Sequence, residues 1–127
     1  MTAQRGSGVR RLAGARRMLG ALRDSSARRY AAMTLTDLAQ EFGSDKWGVH
    51  RYTPHYERHF APLRKQEMFV LELGIGGYSR ERQGGASLRM WKWFFPRAQV
   101  VGVDIEDKSF VDEDRISELR GSGACEH

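Results

Sequence analysis

The spacing of apolar residues predicts two short helices in the first half of the chain. A capping motif from Thr34 to Asp37 precedes the first helix, and Gly43 follows where a glycine would end it. Its apolar positions recur every three or four residues, at Leu35, Leu38, Ala39 and Phe42. Thr53 is the predicted N-cap of the second helix, with Pro54 at the first helical position. One face of that helix carries Tyr56, Phe60 and Leu63.

The second half of the chain reads as strand, helix, strand. The apolar run 68–73 (MFVLEL) stops at the glycine-rich turn 74–77, and a second apolar run covers 99–105 (QVVGVDI). Both runs are typical of buried strands in a parallel sheet. Between them, 86–95 places apolar residues on one side of a helix, so the unit is a right-handed βαβ crossover. We expect residues 115–120 to be helical.

The excess of positive charge is confined to an N-terminal arm. Residues 1–34 carry eight arginines and one acid, whereas residues 35–127 have a net charge of −2. The charge pattern therefore predicts no basic face on the folded part of the chain. Because nucleic-acid-binding domains carry such a face, nucleic acid is an improbable partner. The arm has helical spacing at Val9, Leu12, Leu19 and Leu22. Three interpretations of the arm remain open. It could be an amphipathic basic helix that binds lipid or nucleic acid, or an arginine-rich segment of the kind found in transit peptides. It could also be a disordered arm without a function of its own.

Composition removes several classes of protein. Cys125 is the single cysteine, which excludes a disulfide framework and fits a reducing, cytoplasmic location. No run of 18 apolar residues exists, so no transmembrane segment is expected. A length of 127 residues suffices for one small domain.

The candidate chemistry lies where the two predicted strands end. Glu72, Gly74 and Gly76 occupy the end of the first strand and its turn, and Asp104 ends the second. Glycines lacking Cβ atoms permit close approach of a ligand, and a terminal carboxylate can accept hydrogen bonds from ribose hydroxyls. Nucleoside cofactors bind at this edge of a parallel sheet. The turn therefore predicts a nucleoside-cofactor site.

The dinucleotide fingerprint fits the turn poorly. Its third glycine would fall at Ser79, and Asp104 follows Gly76 by 28 residues instead of about 20. The polar stretch 78–85 also separates the turn from the next helix, and no phosphate-binding P-loop is present. Glu72 before the first glycine suits S-adenosylmethionine, which carries an ammonium and a sulfonium. An NAD(P)-binding unit remains the enzymatic alternative, and an interaction module with a basic arm the non-enzymatic one.

Five blocks in order resemble one family of enzymes. They are 41–47 (EFGSDKW), 50–60 (HRYTPHYERHF), 70–77 (VLELGIGG), 84–91 (GGASLRMW) and 101–105 (VGVDI). Together they are similar to the class I S-adenosylmethionine-dependent sugar O-methyltransferases of macrolide tailoring, of the mycinamicin and macrocin type. The resemblance covers residues 35–122 and implies the N-terminal part of such an enzyme.

The resemblance implies methyl transfer to a sugar hydroxyl of a glycosylated natural product or glycolipid, with Mg²⁺ orienting the sugar. Matching cofactor positions are Glu72, Gly74, Gly76 and Asp104. A block that closes over cofactor and substrate supplies weaker candidates: Ser44, Asp45, Lys46, His50 and Tyr52. The family's metal-binding acids and catalytic base lie beyond the second strand and have no counterpart here, so catalytic and metal residues are not assigned. The complete enzyme could be a homo-oligomer.

The expected architecture is α/β: a Rossmann-like methyltransferase fold, truncated after the second strand, with an N-terminal helical arm. Its parts are the basic arm 1–34, helical or disordered, a helical cap segment 35–67, the start of the cofactor domain 68–122 and a frayed tail 123–127. With two strands the first would keep an unpaired, aggregation-prone edge. We therefore expect an incomplete, marginally stable chain without catalytic activity.

Two further patterns predict no site. His55 and His59 share one helical face, but no third metal ligand accompanies them. The aromatic residues of 91–95 have the spacing of core residues beside a strand and are not a base-stacking platform.

Overall fold

A computed structural model describes residues 7–121 of the chain, which fall into two compact units divided between Ala32 and Met33. The predicted tail 123–127 lies outside the described residues. No helix in the described part of the chain is both long enough and apolar enough to cross a membrane.

The first unit is one long helix, α1 (Ser7–Ala31), of 25 residues. Four large apolar side chains of α1 are exposed: Leu12, Met18, Leu19 and Leu22. Arg28 and Arg29 occupy its last turn, where cations interact favourably with the helix dipole. The arm is thus helical over these residues, and from residue 12 onward its leucines and arginines are exposed.

The described part of the second unit has three α-helices and three strands. In chain order they are α2 (Leu35–Phe42), α3 (Thr53–Phe60), β1 (Met68–Leu73), α4 (Ala86–Phe94), β2 (Ala98–Asp104) and β3 (Ile116–Arg120). One-turn 3₁₀ helices follow α3 and precede β3, at Ala61–Leu63 and Ser109–Val111.

The predicted helix caps are confirmed for α2 and corrected for α3. The Thr34 hydroxyl accepts from the Asp37 N–H, the Asp37 carboxylate accepts from the Thr34 N–H, and Gly43 ends α2 in the left-handed region at φ +70°. Thr53 is not the N-cap of α3, because Tyr52 holds that place. The Thr53 hydroxyl instead bonds to the Thr36 hydroxyl at 2.7 Å, which joins α3 to α2.

The three strands form a parallel sheet in the order β1-β2-β3. The prediction of helix over 115–120 is wrong, and the sheet extends to a third strand beyond the two that were predicted. Apolar residues three apart, Ile116 and Leu119, mimic helical spacing. In the strand they lie on opposite faces, with Ile116 buried beside Val100 and Leu119 57% exposed.

One face of the sheet is covered and the other is bare in the described structure. Helix α4 packs its buried side chains on the covered face, and α2 packs against α4. The apolar residues buried there include Leu35, Leu38, Leu88, Met90, Trp91, Phe94, Ala98, Val100 and Ile116. The prediction that β1 is buried on both faces is wrong: Phe69, Leu71 and Leu73 are 80%, 63% and 70% exposed. The reason is that a buried parallel strand needs helices on both sides, and one layer is described.

Candidate functional site

The turn after β1 is shaped by glycines with left-handed backbone. Gly74 and Gly76 have φ of +84° and +86°, and a Cβ built on either would meet no atom within 4 Å. The space beside both glycines is therefore open to a ligand. Gly102 of β2 has a different task, because a Cβ there would lie 2.8 Å from the Ile75 side chain. The lack of a Cβ at Gly102 lets the Ile75 side chain pack directly over this strand, beside Leu88.

Asp104 joins the end of β2 to this turn. One carboxylate oxygen accepts from the Ile75 N–H at 2.8 Å and the other from the Glu106 N–H at 3.0 Å. The backbone donor at Glu106, together with that of Ile75 and the charge of Lys108, holds the pKa of Asp104 below its ordinary value, although burial opposes them. Each carboxylate oxygen can accept a second hydrogen bond, so the anion keeps acceptor capacity for a ligand.

Glu72 lies on the same side of the sheet as Asp104. Glu72 pairs in register with Gly102, and Asp104 is two residues further along β2, which returns to the same face. The two carboxylates predicted to act together therefore do not point to opposite sides of the sheet. Both stand at the carboxyl edge, the place where open α/β sheets bind ligands.

The Glu72 carboxylate is already surrounded by donors. Oε1 accepts from the Lys46 ammonium at 3.2 Å and from the Ser87 hydroxyl at 2.5 Å, and Oε2 accepts from the Trp91 indole at 2.8 Å. Its side chain is 12% exposed. Lys46 compensates the charge of Glu72, so the carboxylate offers a cationic ligand less attraction than the sequence alone indicates. Ser87 and Trp91 are partners that the sequence pattern did not single out for this site.

The segment after α2 closes one side of a cleft beside the glycine turn. This cleft has a volume of about 260 Å³. Its lining residues come from three segments: Gly43, Ser44 and Asp45; Ile75, Gly76 and Gly77; and Gln83, Gly84, Gly85, Ala86 and Ser87. A smaller pocket of about 150 Å³ adjoins Gly74 and Asp104. Gly74, Gly76, Asp104, Ser44 and Asp45 thus all line open space at one edge of the sheet.

His50 and Tyr52 have a different setting. Their rings are stacked with centroids 4.8 Å apart, and both side chains are exposed. They are not among the residues that line the two clefts. The structure therefore brings Lys46 and Glu72 into contact but leaves this pair at the surface of the 44–52 segment.

The loop between the turn and α4 depends on a residue that the sequence did not reveal. Lys108 is 1% exposed, and its ammonium donates to the carbonyls of Tyr78, Gln83 and Arg80 at 2.6, 3.0 and 3.4 Å. These acceptors precede it by 25 to 30 residues. Main-chain acceptors leave no trace in side-chain identity, so no motif could have found the contact.

The described residues do not fit a magnesium site. Between residues 7 and 121 no group of three or more His, Cys, Asp or Glu side chains is arranged to hold a metal ion. His55 and His59 are both exposed on α3. No step of a reaction is therefore assigned to a metal held by these residues.

Comparison with known proteins shows which proteins this chain is similar to. No family model matches the chain. It is 52% identical over 88 residues to mycinamicin VI 2''-O-methyltransferase of Micromonospora griseorubida, and 55% identical over 82 residues to 8-demethyl-8-alpha-L-rhamnosyl tetracenomycin-C 2'-O-methyltransferase of Streptomyces olivaceus. The chain is a homologue of part of these sugar O-methyltransferases. The matches take in 68% and 65% of the chain but 22% of each sugar O-methyltransferase, so the chain spans about a fifth of their length.

Solved structures of a methyltransferase have the same fold. The MycE methyltransferase from the mycinamycin biosynthetic pathway, in complex with Mg and SAH, superposes with a TM-score of 0.69 at 50% identity, over 71% of this chain and 24% of that one. A second crystal form superposes with a TM-score of 0.70 at 40% identity. That superposition covers 94% of this chain and 31% of the other chain. The expected Rossmann-like methyltransferase fold, here partial, is confirmed, as are the cofactors implied for the family.

Proposed function

We propose that this chain forms the cofactor-binding start of an S-adenosylmethionine-dependent sugar O-methyltransferase. The observation that carries the proposal is the joint placement of Asp104 and the open glycine turn at the carboxyl edge of β1 and β2. The homologues named above methylate sugar-bearing natural products according to their names. Asp104 accepts from the ribose hydroxyls, and Gly74 and Gly76 let the cofactor approach the backbone.

The remaining candidates divide between the methionine end of the cofactor and the substrate side. Ser44 and Asp45 line the 260 Å³ cleft beside Gly76, where Asp45 offers a carboxylate to an ammonium. Glu72 contributes through one free acceptor position on Oε2, since Lys46 and Ser87 occupy Oε1. His50 and Tyr52 present exposed rings on the same segment and belong to the substrate side.

The substrate class is a glycosylated small molecule. One MycE structure contains mycinamycin VI together with Mg and SAH. When bound, S-adenosylmethionine supplies an electrophilic methyl group. This chain's contribution is to hold the cofactor's nucleoside and amino acid ends in a fixed orientation. Much of the rate acceleration of a methyl-transfer displacement comes from such positioning of the reactants. We further propose a cytoplasmic location, supported by the lone Cys125, and a homo-oligomer for the complete enzyme.

An Asp104→Asn substitution tests the cofactor site. The variant keeps one acceptor oxygen but turns an amide donor toward a backbone N–H, so we expect SAH affinity to fall about tenfold, the loss of roughly one hydrogen bond to a charged group. Isothermal titration calorimetry of the chain with SAH measures the change. Asp107→Asn is the matched control, because Asp107 bonds to the Ser109 N–H and does not touch the turn.

The results distinguish a site for S-adenosylmethionine from a site for NAD(P). Equal SAH affinity of Asp104→Asn and wild type would contradict the assignment of Asp104 to the ribose. Binding of NAD(H) by wild type in equilibrium dialysis, with no binding of SAH, would replace the proposal by a dinucleotide site. We expect no NAD(H) binding, because Ser79 occupies the place of the third glycine.

A further inference from the structure

Lys108 carries a buried charge whose nearest acceptors are main-chain carbonyls. Its side chain is 1% exposed, and its ammonium donates to three carbonyl oxygens of residues 78–83. A buried ammonium is costly unless its three N–H groups are satisfied, so each of these bonds is strongly retained. Lys108 and the loop therefore form a mutually dependent pair.

Loop 77–85 has a strained backbone conformation that needs support from its surroundings. Tyr78 and Arg82 have φ of +48° and +55°, in the left-handed region that side chains disfavour. Gly77, Gly84 and Gly85 also have positive φ. Packing is tight at the ends of the loop, because a Cβ on Gly84 would lie 2.4 Å from the Gly76 carbonyl oxygen. Such a conformation persists only when its surroundings fix it, and the ammonium of Lys108 is the group that its carbonyls face.

This loop forms one wall of the cleft proposed to receive the cofactor. Gln83, Gly84 and Gly85 line the 260 Å³ cleft together with Ser44 and Asp45. Gly84 and Gly85 also connect the loop to Gly76 and Ile75, since the Gly85 N–H donates to the Ile75 carbonyl at 3.0 Å. A loosened loop would therefore open the cleft on one side and release the turn.

We infer that Lys108 is a positioning residue of the cofactor site: its ammonium fixes loop 77–85 in the form that accepts the cofactor, without touching the cofactor itself. The inference rests on the proposed function for its effect on affinity. Its effect on the loop does not depend on any cofactor, so the two parts can be measured separately.

The loop is tested by limited proteolysis of a Lys108→Met variant. Methionine has a similar length but no donor, so the loop carbonyls lose their partner. Arg80 and Arg82 place two trypsin sites inside the loop, and we expect cleavage after both, followed by mass spectrometry, to be about tenfold faster than in wild type. Val100→Ala is the matched control, because Val100 is buried in the sheet, away from the loop, and its variant is destabilised with Lys108 in place.

The effect on the site is tested by SAH titration and by chemical rescue. If the ordered loop falls to about one tenth of the population, apparent SAH affinity falls about tenfold. A Lys108→Ala variant leaves room for propylammonium, which supplies the missing charge, whereas 1-propanol of similar shape does not. We expect propylammonium to restore both slow cleavage and SAH binding, and propanol to restore neither. Variants that unfold are refolded with propylammonium, and recovery of the circular dichroism spectrum is the readout.

Each outcome has one meaning. Slow loop cleavage in Lys108→Met, or rescue by propanol equal to that by propylammonium, overturns the role of the ammonium. Fast cleavage with unchanged SAH affinity overturns the positioning role and leaves the proposed function intact. A wild-type chain that does not bind SAH overturns the proposed function and with it the effect on affinity, and the cleavage rates then decide whether Lys108 fixes the loop.

Discussion

At the scale of single residues, the proposed cofactor site depends on which glycines face open space. Gly76 and Gly48 both have left-handed backbone, with φ of +86° and +99°, and a Cβ on either would meet no atom within 4 Å. Their difference is position, because Gly76 lines the proposed cofactor cleft and Gly48 belongs to the 44–52 segment. Substituting each glycine by alanine therefore distinguishes the effect of backbone strain, which both variants share, from the effect of a methyl group in the proposed ligand space, which only Gly76→Ala has.

We predict that Gly76→Ala and Gly48→Ala lose similar stability but differ in binding. Each pays about 1 kcal/mol for an L-residue with positive φ. The added methyl of Gly76→Ala also enters the cleft, so its SAH affinity falls by about tenfold or more, roughly the cost of one poorly accommodated methyl group. Urea unfolding and SAH titration of both variants provide the comparison. Equal SAH affinities would mean that the cofactor does not approach Gly76.

The sequence predicted individual residues unevenly. The position of Asp104 and of the turn glycines at the sheet edge was predictable because local patterns mark strand ends, and their role in cofactor binding stays a prediction. The donors on Glu72 were not predictable, because Lys46 and Trp91 reach it from 26 residues before and 19 residues after. Lys108 was invisible for a related reason, since its acceptors are carbonyl groups that every residue possesses.

At the scale of elements, periodicity predicted most helices and strands but not the exposure of their faces. The continuous apolar run of β1 indicated a strand with two buried faces, and the structure covers one. β3 was missed because its few apolar residues fall three apart, a spacing shared by helices. Pairing with β2 decides the matter: the Val100 N–H donates to the Arg115 carbonyl, at the entry to β3.

The bare face of the sheet predicts self-association. Its exposed apolar side chains include Phe69, Leu71 and Leu73, and a contiguous apolar patch of this kind favours contact between molecules. We expect Phe69→Thr combined with Leu71→Thr to reduce association in sedimentation velocity, with a change in unfolding free energy within about 0.5 kcal/mol per site.

Val100→Thr is the control for this prediction. Val100 lies in β2 on the covered face and is 1% exposed, so a buried hydroxyl there costs about 1–3 kcal/mol. A double variant on the bare face that unfolds as readily as Val100→Thr would show that the bare face is covered in solution.

At the scale of the whole molecule, several carboxylates couple folding to pH. Backbone N–H donors hold the pKa of Asp104 and of Asp107 below the ordinary value, chiefly those of Glu106 and Ser109 respectively. For Glu113, burial acts to raise the pKa, but hydrogen bonds from Arg89 and Lys92 outweigh it and the pKa is lowered. Each of these groups is more acidic in the folded chain than in the unfolded one.

We predict acid destabilisation with a defined window. A lowered folded pKa contributes stability that is complete above the unfolded carboxyl pKa of about 4 and disappears as pH falls through the folded value. Urea unfolding should therefore show a roughly constant free energy from pH 7 to 5 and a steep fall below pH 4. Asp104→Asn should flatten part of that fall, and an unchanged slope would contradict the role assigned to its backbone donors.

The convergence on Glu72 has a consequence for the order of folding. Three stretches of chain, carrying Lys46, Ser87 and Trp91, must arrive before its carboxylate is enclosed. Each arrival closes a loop of 15 to 26 residues, whereas α2 and α4 form through neighbours three or four positions away. We therefore expect the edge proposed to bind the cofactor to form late, after the helices have nucleated, because the donors around Glu72 meet only in the tertiary structure.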